Sequence, residues 1–392
     1  MRHKSRYDFR NLLMRYGVTR EEYDRALRNQ EYSLFNKAID AIAHDACDHI
    51  KARQLDLPHV KMRRMMDSTT GKMRDIGKED PMQQVYDHIA VGSCKEIFKC
   101  RMVDQQMSSI EKRGQVKGMQ LIRRYITDDN KAIKYADKHD LKYVSKCKYH
   151  VKLDIKLCYP SADLDTFMEI FEHDCGNDDI IWLWYTLLKS HQVNGRKGFM
   201  IGALPSQWSV QIMLSFIYRY AMTLSYERRG KEFKKISHMV MFMDDMLLFG
   251  PNRKQLLSAV RQIIEYTRKT LGFIIKENFQ IHELEITPVD MMGYVIYRNG
   301  KVEMRGRNYI KSRRVVLRYY STGRLVYPQA QRLNSYKGFY KYSDSRTACQ
   351  ELKLDKVFKY CSKIISAHDK EADNGKSVFH SRTWPGVIPV TS

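Results

Sequence analysis

Met239-Val240-Met241-Phe242-Met243-Asp244-Asp245-Met246-Leu247-Leu248-Phe249-Gly250 sets two adjacent aspartates inside an otherwise apolar run. Side-by-side carboxylates in such surroundings cost several kcal/mol of desolvation unless something cationic meets them. The run is bounded by Gly250-Pro251 and predicts two buried strands joined at Asp244-Asp245, a hairpin with acids at its tip. A hairpin that presents carboxylates together is a device for holding divalent metal. The competing reading is a polar turn between two core strands, and a third acid elsewhere would decide against it.

The 392 residues suffice for two or three lobes around substantial cores, and 43% hydrophobic residues exclude a disordered chain. Lys and Arg number 68 against 45 acids, a net charge of +23 spread along the chain. That excess points to a polyanionic partner, nucleic acid first and an anionic membrane surface second. No uninterrupted apolar segment approaches the ~18 residues of a membrane span, and no lipidation signal is present, so no membrane role is expected. The basic N-terminus lacks an apolar signal-peptide core, so a cytoplasmic location is expected. Eight scattered cysteines without a CxxC pair fit reduced thiols. His44-x-x-Cys47-x-His49 lacks a fourth ligand nearby and reads as an ordinary helix.

Residues 19–55 predict a helix, opened by Thr19 and Glu22 as a capping box. Residues 60–75 carry Lys61, Arg63, Arg64, Lys72 and Arg74. A second basic segment, Glu111 to Gly118 with Arg113-Gly114 and Lys117-Gly118, opens an amphipathic helix; glycines amid cations suit close approach of backbone to phosphate, against the alternative of a solvated turn. Tyr149 to Pro160 reads as a strand, alternating polar and apolar residues through Asp154. Helical patterns follow at 163–190 and 206–228, then the acidic hairpin and a helix at 252–271. Leu271–Ile275 and Met291–Tyr297 read as further strands. The order implies an α+β fold with helices on one face of a sheet. From 305 onward the chain is basic and helical, with tyrosines among the cations, as suits stacking on and clamping a nucleic-acid backbone. From 371 it looks irregular.

Asp154, at the end of the predicted strand, is the third acid. Three carboxylates meeting at a sheet end could hold two Mg²⁺, one lowering the pKa of an attacking 3′-hydroxyl and one binding triphosphate. At this point the chain resembles a reverse transcriptase. Leu153-Asp154-Ile155-Lys156-Leu157-Cys158-Tyr159 resembles motif A of that family, and Phe242-Met243-Asp244-Asp245 resembles motif C, with Phe in place of the usual Tyr. Met292-Gly293-Tyr294 resembles the primer grip, and Arg74, Arg113 and Lys117 resemble cations of the finger motifs. The resemblance covers roughly residues 70–345.

The resemblance implies a right-hand polymerase with an antiparallel palm sheet: an N-terminal helical extension at 1–60, fingers at 61–148, a palm at 149–300 that includes part of the fingers, a helical thumb at 301–370 and a tail at 371–392. It implies Asp154, Asp244 and Asp245 as catalytic metal ligands, joined by the Ile155 carbonyl. Mg²⁺ is the implied metal, with Mn²⁺ a substitute. Tyr159, five residues after Asp154, would clash with a ribose 2′-hydroxyl and so select dNTPs; viral RNA-dependent RNA polymerases carry an aspartate there. Arg74, Arg113, Gln207 and Lys276 are the implied dNTP contacts, and Gly202, Ser206, Lys117, Met292, Gly293 and Tyr294 the template and primer contacts.

Ile201-Gly202-Ala203-Leu204-Pro205-Ser206-Gln207 departs from the usual motif B and is similar to the Ile-Gly-x-x-x-Ser-Gln of diversity-generating retroelements. Ser-Gln variants also occur in antiphage-defence reverse transcriptases. Asn278-Phe279-Gln280-Ile281 stands where a motif D lysine is usual, with Lys276 as a substitute general acid. The expectation is therefore an enzyme of a bacterial or phage element that copies a structured noncoding RNA into cDNA. An accessory protein and a homo-oligomer both stay open as partners. The alternatives are a catalytically silent RNA-binding scaffold and an RNA-dependent RNA polymerase.

Overall fold

The computed structural model of the chain describes residues 3–58, 60–66, 73–192 and 198–373. Helices α1 (His3–Arg15), α2 (Arg20–Asn29) and α3 (Asn36–Lys51) come first, then the ribbon of β1 (Lys61–Met66) and β2 (Met73–Lys78). Helices α4 (Pro81–Ser93), α5 (Lys95–Arg101) and α6 (Gln115–Lys138) lead to β3 (Tyr149–Asp154), α7 (Cys158–Ser161), α8 (Leu164–Asp174), α9 (Asp178–Ser190) and α10 (Leu204–Thr223). Two hairpins follow, β4 (Ser225–Arg228) with β5 (Lys231–Lys234), and β6 (His238–Phe242) with β7 (Asp245–Gly250). After α11 (Arg253–Leu271) come β8 (Ile281–Glu283), β9 (Val289–Met291), β10 (Tyr294–Ile296) and β11 (Val302–Met304). The described chain closes with α12 (Gly306–Thr322), α13 (Tyr327–Tyr342), α14 (Arg346–Glu351) and α15 (Leu354–Asp373). This is the mixed helix-and-sheet chain with antiparallel pairing that the sequence predicts. The tail expected from 371 falls almost wholly outside the described residues.

The chain divides into two compact units. The first comprises Met1–Lys112, Val151–Leu248 and Asn252–Gln280; the second comprises Arg113–His150, Phe249–Pro251 and Ile281–Ser392.

In the first unit, β6, β7 and β3 are neighbours in that order. Met239, Val240 and Met241 of β6 and Met246, Leu247 and Leu248 of β7 are buried, while β3 alternates Val151 and Leu153 inward with Lys152 and Asp154 outward. Helix α10 has buried residues all round, including Ser209, Gln211 and Ser215, as a helix enclosed by others must. Beside it Trp184 of α9 meets Phe98 edge-on at 5.2 Å and donates its indole N–H to the Ala90 carbonyl at 3.2 Å. Helix starts are set by side-chain caps: Asp80 before Pro81 on α4, Asp163 on α8, Asn177 on α9 and Asn252 on α11.

In the second unit, β9, β10 and β11 form an antiparallel sheet. Leu333, Tyr340, Phe358 and Cys361 anchor the core of α12–α15. Asp129 of α6 is the polar centre. It accepts from Ser145 Oγ (2.7 Å), Tyr143 Oη (3.0 Å) and the N–H groups of Lys146 (2.6 Å) and Cys147 (3.3 Å), and pairs with Arg298 at 2.8 Å.

Five expectations change. The helix expected over 19–55 keeps its capping box, with Thr19 N–H bonded to Glu22 Oε2 at 2.9 Å. It ends at Gln30, in the left-handed region (φ 59°), because the chain folds back to stack Phe35 on Tyr23 at 5.6 Å. The strand expected at Leu271–Ile275 is the end of α11 plus one isolated bridge between Ile275 and Ile155. The strand expected at Met291–Tyr297 is two short strands, because Met292 and Gly293 (φ 54° and 83°) form the two-residue turn between β9 and β10. The helix expected over 206–228 stops at Thr223 and gives way to β4, and the strand expected over 149–160 stops at Asp154, because Leu157 turns left-handed (φ 50°) and starts α7.

The Asp129 centre generates a pH-dependent prediction. Burial opposes its charge, but the bonds from Ser145, Arg298, Lys146 and Tyr143 prevail and hold its carboxyl below the ordinary range. A carboxyl depressed on folding stabilises at neutral pH, and the contribution is lost as pH falls below about 4 towards the folded pKa. Asp129→Asn takes from half-buried Arg298 its enclosed partner, leaving Glu285 at 3.6 Å as its acidic neighbour, and should destabilise by about 1–3 kcal/mol at pH 7. Chemical denaturation at pH 7 and pH 3 checks this: the wild-type advantage over the variant should shrink on acidification.

Candidate functional site

The turn of the acidic hairpin is Met243-Asp244, one residue earlier than expected, and Asp245 is the first residue of β7. Met243 takes the left-handed conformation (φ 53°), as the tight turn between two twisted strands requires. This puts Asp244 at the tip and swings Asp245 alongside β3, where its Oδ2 meets Lys152 Nζ at 3.3 Å. Asp154 ends β3, and the next residue's N–H (Ile155) donates to the Asp244 carbonyl at 3.2 Å. Strand pairing therefore sets Asp154 and Asp244 side by side.

The electrostatics carry the mark of that proximity. Burial raises the Asp244 carboxyl above its ordinary range, its own backbone N–H opposes this, and the charges of Asp245 and Asp154 add to the rise, while Arg74 pulls it down. Asp154 Oδ1 is buried, lacks a well-formed hydrogen bond, and faces Lys276 Nζ at 2.5 Å. Lys276 is held there by its own N–H, which donates to the Asp154 carbonyl at 2.9 Å. Crowded carboxylates, one with an unbonded oxygen and one held above its usual range, are a donor set that fits a hard divalent cation. The Ile155 carbonyl lies on the same chain segment.

Tyr159 lies in the single-turn helix α7, after Leu157 in the left-handed region (φ 50°). Its phenol is raised well above the ordinary range by burial first, then by Cys158 and Asp244, which sets the ring near the aspartates. Arg74 is exposed on β2, whose partner β1 is exposed along its full length. Gly202 has φ +117°, a conformation that favours glycine, and a Cβ there would sit 2.8 Å from the Gly77 carbonyl oxygen. The adjacent Ile201 carbonyl accepts from Gly77 N–H at 3.0 Å, so the motif B segment is sewn to β2. Ser206 is fully buried at the start of α10 and bonds His191 Nδ1 at 3.2 Å; Gln207, next to it, is half-buried.

The first unit thus contains Asp154, Asp244, Asp245, Ile155, Tyr159, Arg74, Gly202, Ser206, Gln207 and Lys276. Arg113, Lys117, Met292, Gly293 and Tyr294 belong to the second. There Lys117 is exposed in the first turn of α6, and the buried Tyr294 packs on Phe339 at 5.1 Å. Lys72 of the first basic segment lies outside the described residues.

Sequence reasoning missed one constellation. Among the described residues, one set of three His, Cys, Asp or Glu side chains brings a ligand atom of each within 4.8 Å of the others, and it is Glu79, Asp87 and His191. The three aspartates of the hairpin region are not gathered so tightly. Glu79 follows β2, Asp87 lies in α4 and His191 caps the end of α9, separations that leave no motif in the sequence.

No protein-family model and no curated protein sequence matches the chain. Solved structures similar to it include apo telomerase from Candida tropicalis, at 11% identity over 96% of this chain and 77% of that one, TM-score 0.47. Telomerase from Candida albicans in complex with a fragment of telomeric RNA is 11% identical over 84% of this chain, TM-score 0.44. A truncated apo telomerase from Candida tropicalis is 12% identical over 62% of this chain, TM-score 0.41. The chain spans 60% and 54% of the lengths of the latter two. Likenesses this weak carry no weight for activity, which is read from the site's own geometry.

Gly202 supplies the prediction here. Gly202→Ala must strain the backbone or push it off Gly77 and should destabilise by about 1–3 kcal/mol. Gly92→Ala, at an exposed position of α4 with open space around it, should stabilise by about 0.5–1 kcal/mol. Thermal unfolding of the two variants should therefore show shifts of opposite sign.

Proposed function

We propose that the chain is a Mg²⁺-dependent RNA-directed DNA polymerase of a bacterial or phage element, working in the cytoplasm on a structured noncoding RNA. The observation that carries the reading is the pairing of Asp154 with Asp244 at the end of β3, bridged by the Ile155–Asp244 backbone bond. Bound there, Mg²⁺ supplies Lewis-acid activation of a primer 3′-hydroxyl and neutralises the triphosphate. Asp154, Asp244 and Asp245, with the Ile155 carbonyl, would hold the metal, and Mn²⁺ would serve in its place. Lys276, seated against Asp154, is the residue that would act on the triphosphate or give a proton to the leaving pyrophosphate.

Tyr159, half-buried and within the electrostatic reach of Asp244, would exclude a ribose 2′-hydroxyl. Arg74 draws the triphosphate towards the aspartates, and Gln207 contacts the incoming nucleotide. Gly202 gives the floor under the templating pair its close approach to β2, and Ser206 positions that floor from below through His191. The assignments of Arg113 and Lys117 to phosphate, and of Met292, Gly293 and Tyr294 to the primer, rest on sequence resemblance alone. In this reading 61–148 are fingers, 149–300 palm and 301–370 thumb, with 1–60 an extension available to an accessory protein or a second copy. Retroelement diversification and antiphage defence both fit this core.

A second reading, a silent RNA-binding scaffold, draws on the Lys276 ammonium already seated against Asp154. Primer extension separates the two. Asp154→Asn and Asp244→Asn should each lower dNTP incorporation by roughly 10³-fold or more. RNA affinity should stay within about twofold, since basic residues elsewhere dominate it. Incorporation unchanged in either variant contradicts the assignment; RNA binding with no incorporation by the wild type favours the scaffold. Tyr159→Ala should admit rNTPs that the wild type rejects, and wild-type preference for rNTPs would make the product RNA.

A further inference from the structure

Glu79, Asp87 and His191 are more deeply enclosed than the hairpin aspartates. The Glu79 and His191 side chains are 6% and 0% exposed, and Asp87 as a residue is 1% exposed. A buried carboxylate is normally bonded several times over. Here both oxygens of Asp87, Oε1 of Glu79 and Nε2 of His191 have no well-formed hydrogen bond, and the Asp87 and Glu79 carboxyls lie within hydrogen-bonding reach of each other. The Leu204 backbone N–H faces Asp87 and favours its charge, yet stands outside good hydrogen-bonding geometry. His191 Nε2 and Glu79 Oε1 approach to 2.8 Å without the alignment of a hydrogen bond. Ligand atoms of two carboxyls and an imidazole, enclosed and within 4.8 Å of one another, are a donor set that a divalent cation fits.

The surroundings agree. His191 Nδ1 is engaged by Ser206 Oγ at 3.2 Å, an outer bond of the kind that orients a ligating imidazole and leaves Nε2 its lone pair. Glu79 and Asp87 also line a cavity of about 270 Å³ with Gly77, Lys78, Gln84 and Gly202. The cavity has room for water to complete the coordination.

We propose that Glu79, Asp87 and His191 form a second metal site, distinct from the hairpin aspartates, that binds one Zn²⁺-class divalent ion. Two carboxylates match the charge of the ion, and an imidazole selects Zn²⁺ over Mg²⁺. Ligands on one such ion lie about 2.0–2.2 Å from it and hence within roughly 4 Å of one another. The 4.8 Å spread of the three residues needs only a small contraction to meet this. The bound ion joins the end of β2, α4 and the end of α9, and through Ser206 fixes the first turn of α10. The inference stands whether or not the chain is a polymerase.

Elemental analysis of the full chain, purified and dialysed without chelator, tests it. About one equivalent of Zn²⁺, Mn²⁺ or Fe²⁺ should remain in the wild type and in Asp154→Asn/Asp244→Asn, and less than a tenth of that in Asp87→Asn and His191→Gln. After stripping with chelator, added Zn²⁺ should raise the wild-type unfolding midpoint by several degrees and leave the two site variants unmoved. No retained metal together with no Zn²⁺ shift in the wild type overturns the proposal. So does retention that survives Asp87→Asn but vanishes in Asp154→Asn/Asp244→Asn, which assigns the ion to the hairpin. Should the site variants fail to fold, wild type against Asp154→Asn/Asp244→Asn still decides between these outcomes.

Discussion

Repulsion between Asp154 and Asp244 is the constraint around which the first unit is arranged. Two carboxylates held side by side by strand pairing would part in a flexible chain. Here the buried β6–β7 hairpin and the alternating burial of β3 leave them nowhere to go. The Met243 turn adds local strain at the same point, and the apolar strands on either side over-determine it. Relief comes from cations on neighbouring segments: Lys152 for Asp245, Lys276 for Asp154 and the field of Arg74 for Asp244. These ammonium and guanidinium charges offset part of the repulsion among the carboxylates.

The molecule solves the same problem differently at its other buried acids. Asp129 is satisfied by hydroxyls, backbone N–H groups and Arg298, a complete shell that needs nothing from outside. Glu79 and Asp87 share one enclosed space with atoms left unbonded. The first is a self-contained structural shell, and the second leaves donor atoms facing one another in the same enclosed space.

Much of this was legible in the residues because it is local. An apolar run broken by two acids specifies a hairpin, Thr19-x-x-Glu22 specifies a cap, and the alternation around Asp154 specifies a strand that carries a carboxylate. What escaped was set by contacts between distant segments. The turn at Met292-Gly293 looked like strand interior because both residues sit among apolar neighbours, and only their left-handed backbone reveals it. Leu271–Ile275 has strand-like composition, but Gly272 caps α11 and leaves a single bridge to Ile155. Glu79, Asp87 and His191 come from a strand end and two helices, so no spacing could announce them. Ser206 was read as part of a nucleic-acid floor, and its burial against His191 is likewise a product of the fold.

The most direct test of the central claim is made in cells. Nucleic acid copurifying with the chain would be sequenced after expression of wild type or Asp244→Asn from the native flanking locus. The account predicts a discrete bound RNA in both, and complementary DNA in the wild type alone. The same RNA with no DNA that depends on Asp244 would contradict a polymerase and leave a binding protein.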